Sequence, residues 1–123
     1  MRKRGQGSKP VSTATPPSLD LIFDLLSSRR RRYALYYLSE RTDGVAGVDE
    51  LADGIVRLEN ETGHGETDAA QHRRAVRAEL QHSHLPKLAD TSLLEHDPRS
   101  DTVRYWSQPS LEEWLEHAKH KEL

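Results

Sequence analysis

Residues Thr67 to Tyr105, TDAAQHRRAVRAELQHSHLPKLADTSLLEHDPRSDTVRY, decide how this chain folds. Val76, Leu80, His84 and Leu88 recur at every fourth position with Ala69 and Leu85 beside them, so one face of a long helix is committed to a core. Arg73, Arg77 and Gln81 take the same step on another face, flanked by Gln71, His72 and Arg74. Thr67, with Asp68 behind it, supplies the helix start. Pro86 lies inside the pattern, where its ring and missing N–H predict a kink, or a break after Ser83 with Leu85-Pro86 opening a last short segment. Beyond it Leu94-Glu95-His96 alternates, Asp97 to Asp101 is rich in turn formers, and Thr102 to Trp106 resumes with strand-favouring residues. A long helix followed by two strands around a polar tip is the outline of a recognition helix and its wing. The expected fold class is mainly α with a small β-hairpin wing, a winged helix-turn-helix.

The upstream sequence reads as scaffold for that helix. Ser18 is a good N-cap, and Leu19, Ile22, Phe23 and Leu26 follow as one apolar stripe. Ser27-Ser28 interrupts this first helix and caps a second, RRRRYALYYLSER, with Ala34, Leu35 and Leu38 on its apolar side and Tyr33, Tyr36 and Tyr37 at the core edge. Asp43-Gly44 marks a turn and Val45-Ala46 a short strand. A third helix carries Val48, Leu51, Ala52 and Ile55, with Asp49 and Glu50 in its first turn. Asn60 to Glu66 is a loop, longer than the turn of a minimal helix-turn-helix.

Downstream, Ser110 to Glu113 resembles a capping box, and Leu111, Trp114, Leu115 and Ala118 give a terminal helix one apolar stripe. That helix either covers the core or pairs with its copy in a homodimer. The organisation expected is a disordered basic tail over residues 1–17, a winged-helix domain over 18–107, and a C-terminal helix over 108–123.

Composition narrows the function classes. The chain has 123 residues and no cysteine, which excludes disulfides and thiolate metal sites and leaves material for one modest core. No apolar run is long enough to span a bilayer and no secretory signal follows the basic start, so a cytoplasmic location is expected. The net charge of -2 is uneven: Arg2, Lys3, Arg4 and Lys9 lie in the tail, leaving 14 basic and 20 acidic residues, a net of -6, in the body. Arginine outnumbers lysine 13 to 5 and large aliphatics are sparse, a bias that suits a salty cytoplasm.

The chemistry legible in this pattern is recognition rather than catalysis. There is no phosphate loop, nucleophile elbow or zinc-protease helix, and no cofactor or small-molecule effector is implied. Glu113, His117 and His120 share a helix face and His82 and His84 are neighbours, but histidine-bearing helices are usually solvated and no metal site is expected. Arginine and glutamine match base edges in the major groove, which makes Arg73, Arg74, Arg77 and Gln81 candidate readers of double-stranded DNA. Arg99 at the wing tip and Arg104 on its second strand are candidates for phosphate, with Asp97 and Asp101 offsetting much of their charge. Arg29 to Arg32 open a helix, where the macrodipole disfavours cations. Either Arg29 and Arg30 grip phosphate, or the stems cover apolar surface and the heads pair with acids such as Asp20, Asp24 and Glu40. A run of four spans the helix circumference, so at most two can face one partner.

Three segments together, LDLIFDLLSSRRRRYALYYL at 19–38, VDELAD at 48–53 and HLPKLADTSLLEHD at 84–97, resemble a small winged-helix domain of unknown function abundant in halophilic archaea. The resemblance spans about residues 19 to 107. It departs from that family's usual pattern at Thr91-Ser92, where a glycine-bearing turn is common, and at Ser28, where Asn often caps. It implies a relation to ArsR-like regulators and a role in transcription within a salt-rich cytoplasm. Two functions are therefore expected to compete: a DNA-binding regulator, and a protein-protein interaction module without DNA binding, which the acidic body favours.

Overall fold

The computed structural model describes residues 16–123, so most of the expected basic tail lies outside the described residues. In order the elements are α1 (Leu19–Leu25), α2 (Arg29–Glu40), β1 (Val45–Gly47), α3 (Val48–Glu61), α4 (Ala69–Glu79), a π-helical turn (Leu80–His84), α5 (Leu85–Asp90), β2 (Leu94–Asp97), β3 (Thr102–Tyr105) and α6 (Pro109–Glu122). β3 runs antiparallel to both neighbours, giving the strand order β1-β3-β2. The protein is mainly helical, with the β2–β3 hairpin as a wing and β1 fastening that hairpin to the start of α3. Among the described residues no helix is long and apolar enough to cross a membrane.

Side-chain caps set most helix starts. Ser18 and Ser28 accept backbone N–H bonds from Leu21 and Arg31 at 3.1 and 3.3 Å. The cap of α4 is Asp68 rather than Thr67: its Oδ1 accepts from the Gln71 N–H at 3.1 Å, adding a negative charge at the positive helix end. α6 begins earlier than the expected capping box. Pro109 takes the first helical position, where its absent N–H costs nothing, so Gln108 becomes the cap and Ser110 falls inside.

The core lies between α2, α3, α4 with its continuation, and the inner faces of the sheet and α6. Leu25, Leu35, Leu38, Leu51, Ile55, Val76, Leu80, Leu88, Tyr105 and Leu111 are fully buried. Tyr33 and Tyr36 belong to this core and not to its edge, each sending its hydroxyl to a polar partner: Thr62 Oγ1 at 3.0 Å and Glu122 Oε2 at 2.7 Å. Gly54 is built into the middle of α3 because the Tyr37 ring lies against it; a Cβ there would come within 2.6 Å of the ring.

Pro86 does not end the long helix, which runs on into α5 through the π-helical turn. The Leu85 N–H reaches back to the Leu80 carbonyl, and this widened turn precedes a proline that has no N–H to give. The chain then turns through Ser92, whose φ of 64° is the left-handed conformation that glycine adopts without strain. This is where the sequence departs from the glycine-bearing turn.

Candidate nucleic-acid interface

The inner side of α4 is fixed by a polar network that crosses three helices. Glu59 of α3 is fully buried and accepts from Arg29 (Nη2, 3.2 Å), Arg30 (Nε, 2.9 Å) and buried His72 of α4 (Nε2, 2.7 Å). Burial alone would push this carboxyl up, but the bonds from Arg30 and His72 outweigh it and hold it below the usual glutamate range. Arg30 also reaches Glu79 at 3.1 Å, and Glu79 meets His84 Nε2 at 2.9 Å. The other ring nitrogen of His84 lies 3.3 Å from Arg31 Nη1. A guanidinium can only donate, so His84 Nδ1 is the acceptor and Nε2 carries the proton given to Glu79. His84 is thus buried as expected, with both ring nitrogens bound to side chains. Burial lowers its pKa below the ordinary histidine value.

Arg31 and Arg32 serve the end of α1. Arg31 donates to the Leu25 and Asp24 carbonyls and Arg32 to that of Leu26, each at 2.7 Å, satisfying acceptors left open where the helix stops. Arg32 further pairs with Glu122 of α6 at 2.9 Å. All four arginines of the run are therefore engaged within the chain. Their partners are Glu59, Glu79, Glu122, His84 and helix carbonyls in place of the Asp20, Asp24 and Glu40 side chains. Cations at the start of α2 are tolerated because acids from α3, α4 and α6 and the negative end of α1 surround them.

On the edge of α4 that faces α3, Arg73 and Arg77 meet a ladder of acids. Arg73 Nε donates to Asp53 at 2.6 Å. Arg77 donates from Nε to Asp49 at 2.7 Å, from Nη2 to Asp101 in the wing turn at 2.6 Å, and from Nη1 to Gln81 at 3.3 Å. Asp101 also meets His96 Nε2 at 2.9 Å; this hydrogen bond first, and then the Arg77 charge, lowers its pKa. Arg74 is exposed and makes no ion pair among the described residues. With Gln71, Gln81, His82 and the small Ala70, Ala75 and Ala78 it forms the solvent face of the helix. Arg99 is exposed in the wing turn, where its backbone N–H bonds to Asp97. Arg104 is exposed on β3 opposite Glu95.

Of the expected contacts, Arg74, Arg99, Arg104 and Gln81 are thus presented to solvent, Arg73 and Arg77 are shared with acids, and Arg29 and Arg30 are turned inward. His72, expected to flank the arginine face, is instead buried against Glu59. It lies four residues before Val76, so it continues the apolar stripe; Glu59 likewise lies four after Ile55. Each could have been placed inside by periodicity alone.

A family model described as a domain of unknown function, DUF7344, matches residues 23–104. The chain belongs to this family. The matched DUF7344 segment runs from α1 to β3 and takes in the arginine run, Glu59, His72 and His84, while α6 lies beyond it. No curated protein and no solved structure matches the chain.

Outside the DUF7344 segment, α6 lays Leu111 and Leu115, two of the four residues expected to pair with a second copy, into the core of the chain itself. Trp114 stays 37 % exposed and meets the 48 % exposed Phe23 edge-on, ring centroids 5.2 Å apart. Phe23, Leu26, Trp114 and Ala118 line an open groove of about 460 Å³, with Arg32 and Lys121 at its rim. Among the described residues no group of three or more His, Asp or Glu side chains could hold a metal ion.

Proposed function

We propose that this chain is a DNA-binding transcriptional regulator of winged-helix type, related to ArsR-like regulators and working in the salt-rich cytoplasm of halophilic archaea. The observation that supports this reading is the exposed solvent face of α4, mounted on a buried polar network and followed by a wing. Gln71, Arg74 and Gln81 read base edges in the major groove, and the small alanines let the helix approach closely. Arg99 and Arg104 contact the phosphate backbone. A homodimer through Phe23, Leu26, Trp114 and Ala118 would present two such helices to paired half-sites.

The experiment is duplex binding across a salt series with Arg74→Ala. Losing a base-reading arginine is expected to weaken binding to the preferred sequence by roughly 1–3 kcal/mol. Wild-type affinity in that variant would overturn the assignment.

The second reading, a protein-protein interaction module without DNA binding, is favoured by the pairing of Arg73 and Arg77 with acids and by the exposed Phe23 and Trp114. On that reading the wild-type protein binds no duplex even at low salt, whereas Trp114→Ser abolishes self-association or partner capture.

A further inference from the structure

We infer that Asp49, Asp53 and Asp101 act as a built-in competitor for DNA phosphates, suppressing sequence-independent binding along one edge of α4. The inference rests on the DNA-binding reading and adds a specificity device to it. Carboxylate oxygens lie 2.6–2.7 Å from the guanidiniums of Arg73 and Arg77, the distance a phosphate oxygen would take. All three guanidinium nitrogens of Arg77 are engaged by Asp49, Asp101 and Gln81. The acids come from two different elements, α3 and the wing turn, so they bracket the arginines rather than follow them along one helix. Within this cluster three carboxylates face two guanidiniums, so the acids outnumber the arginines they engage.

A duplex approaching that edge must displace the carboxylates and is repelled by them. Asp49 and Asp53 are 68 % and 57 % exposed, so the pairs open readily and the ladder competes without locking. Phosphate contacts carry no sequence information, whereas base contacts do. Muting Arg73 and Arg77 toward phosphate while leaving Arg74 free therefore weights binding toward the base-reading face.

The test compares the full chain with D49N/D53N and with E113Q/E116Q on a random-sequence duplex. Both double variants remove two negative charges, but the second does so at exposed positions of α6, a helix that packs on α2. Asn keeps the shape and one acceptor oxygen of Asp, and thermal melting checks that each variant is folded. D49N/D53N is expected to bind at least about tenfold tighter near 0.1 M salt, with a slope in log salt steeper by about 0.9 for each phosphate gained. E113Q/E116Q is expected to bind as wild type.

No change in D49N/D53N, or equal tightening in both variants, would overturn the inference. Tightening confined to D49N/D53N supports it, including where the wild type itself binds too weakly to measure. The Arg74→Ala experiment keeps the two claims apart. If Arg74→Ala weakens binding and D49N/D53N changes nothing, the DNA reading survives and the competitor falls; if no form binds DNA, both fall.

Discussion

Arg30 keeps 15 % of its side chain in solvent and shares the fully buried Glu59 with Arg29 and His72; Arg73 keeps 41 % exposed and leans on Asp53, itself 57 % exposed. As sequence, RRRR and RRAVR look alike. In the fold one group holds three helices together and the other lies at the surface beside the solvent face of α4. The difference is set by what the neighbouring stripe of each helix must bury. Buried charges are kept only when paired, and removing one partner strands the other, whereas exposed pairs contribute little and exchange readily.

If burial decides the role, the largest effect belongs to Glu59. Glu59→Gln is expected to destabilise the fold by about 3–5 kcal/mol, because Arg29 and Arg30 lose their buried counter-charge. The half-exposed Glu79→Gln should cost no more than about 1 kcal/mol. Urea denaturation of the two variants checks this order.

Arg31 comes next. Arg31→Lys keeps the charge but loses the fork that reaches the Leu25 and Asp24 carbonyls, and a loss of roughly 1–3 kcal/mol is expected. Hydrogen exchange should show faster opening of α1 in particular.

Acid tests the same network. His84 has a folded pKa below its ordinary 6.5, so above 6.5 it is neutral in both states and its contribution is fully present. As pH falls below 6.5 the unfolded chain takes up a proton that the folded chain refuses, and stability declines until the folded pKa is reached. Glu59, lowered from 4.5, adds a further loss as pH drops below 4.5 and through its folded pKa. His84→Gln should remove the first decline and leave the second, as read from melting temperature against pH. At the smallest end, Asp53→Asn in the exposed ladder should change stability by less than about 1 kcal/mol.

Much of this architecture was legible in the chain. The four-residue step from Val76 to Leu88, the turn formers at Asp97 to Asp101 and the strand residues after them specify a helix and a wing, because those patterns depend on local geometry. Pro86 announced a disturbance but not its form, since a kink, a break and a π-turn all relieve the same missing N–H. The arginine partners were not legible. Glu59, Glu79 and Glu122 are far from residues 29–32 in sequence, and which acid meets which arginine depends on how the helices cross. Periodicity could have placed Glu59 and His72 inside, but polar identity argued against it. For the same reason the acids that α3 lays beside Arg73 and Arg77 were not legible from the helix alone.

The division of labour between the two arginine groups is tested most directly by measuring stability and duplex affinity together in Arg30→Ala and Arg74→Ala. Arg30→Ala is expected to lower the melting temperature while leaving the affinity of the folded fraction unchanged. Arg74→Ala is expected to melt as the wild type does and to bind its preferred duplex roughly 1–3 kcal/mol more weakly. If Arg74→Ala bound DNA with wild-type affinity, or Arg30→Ala kept full stability and lost binding instead, the account would be contradicted.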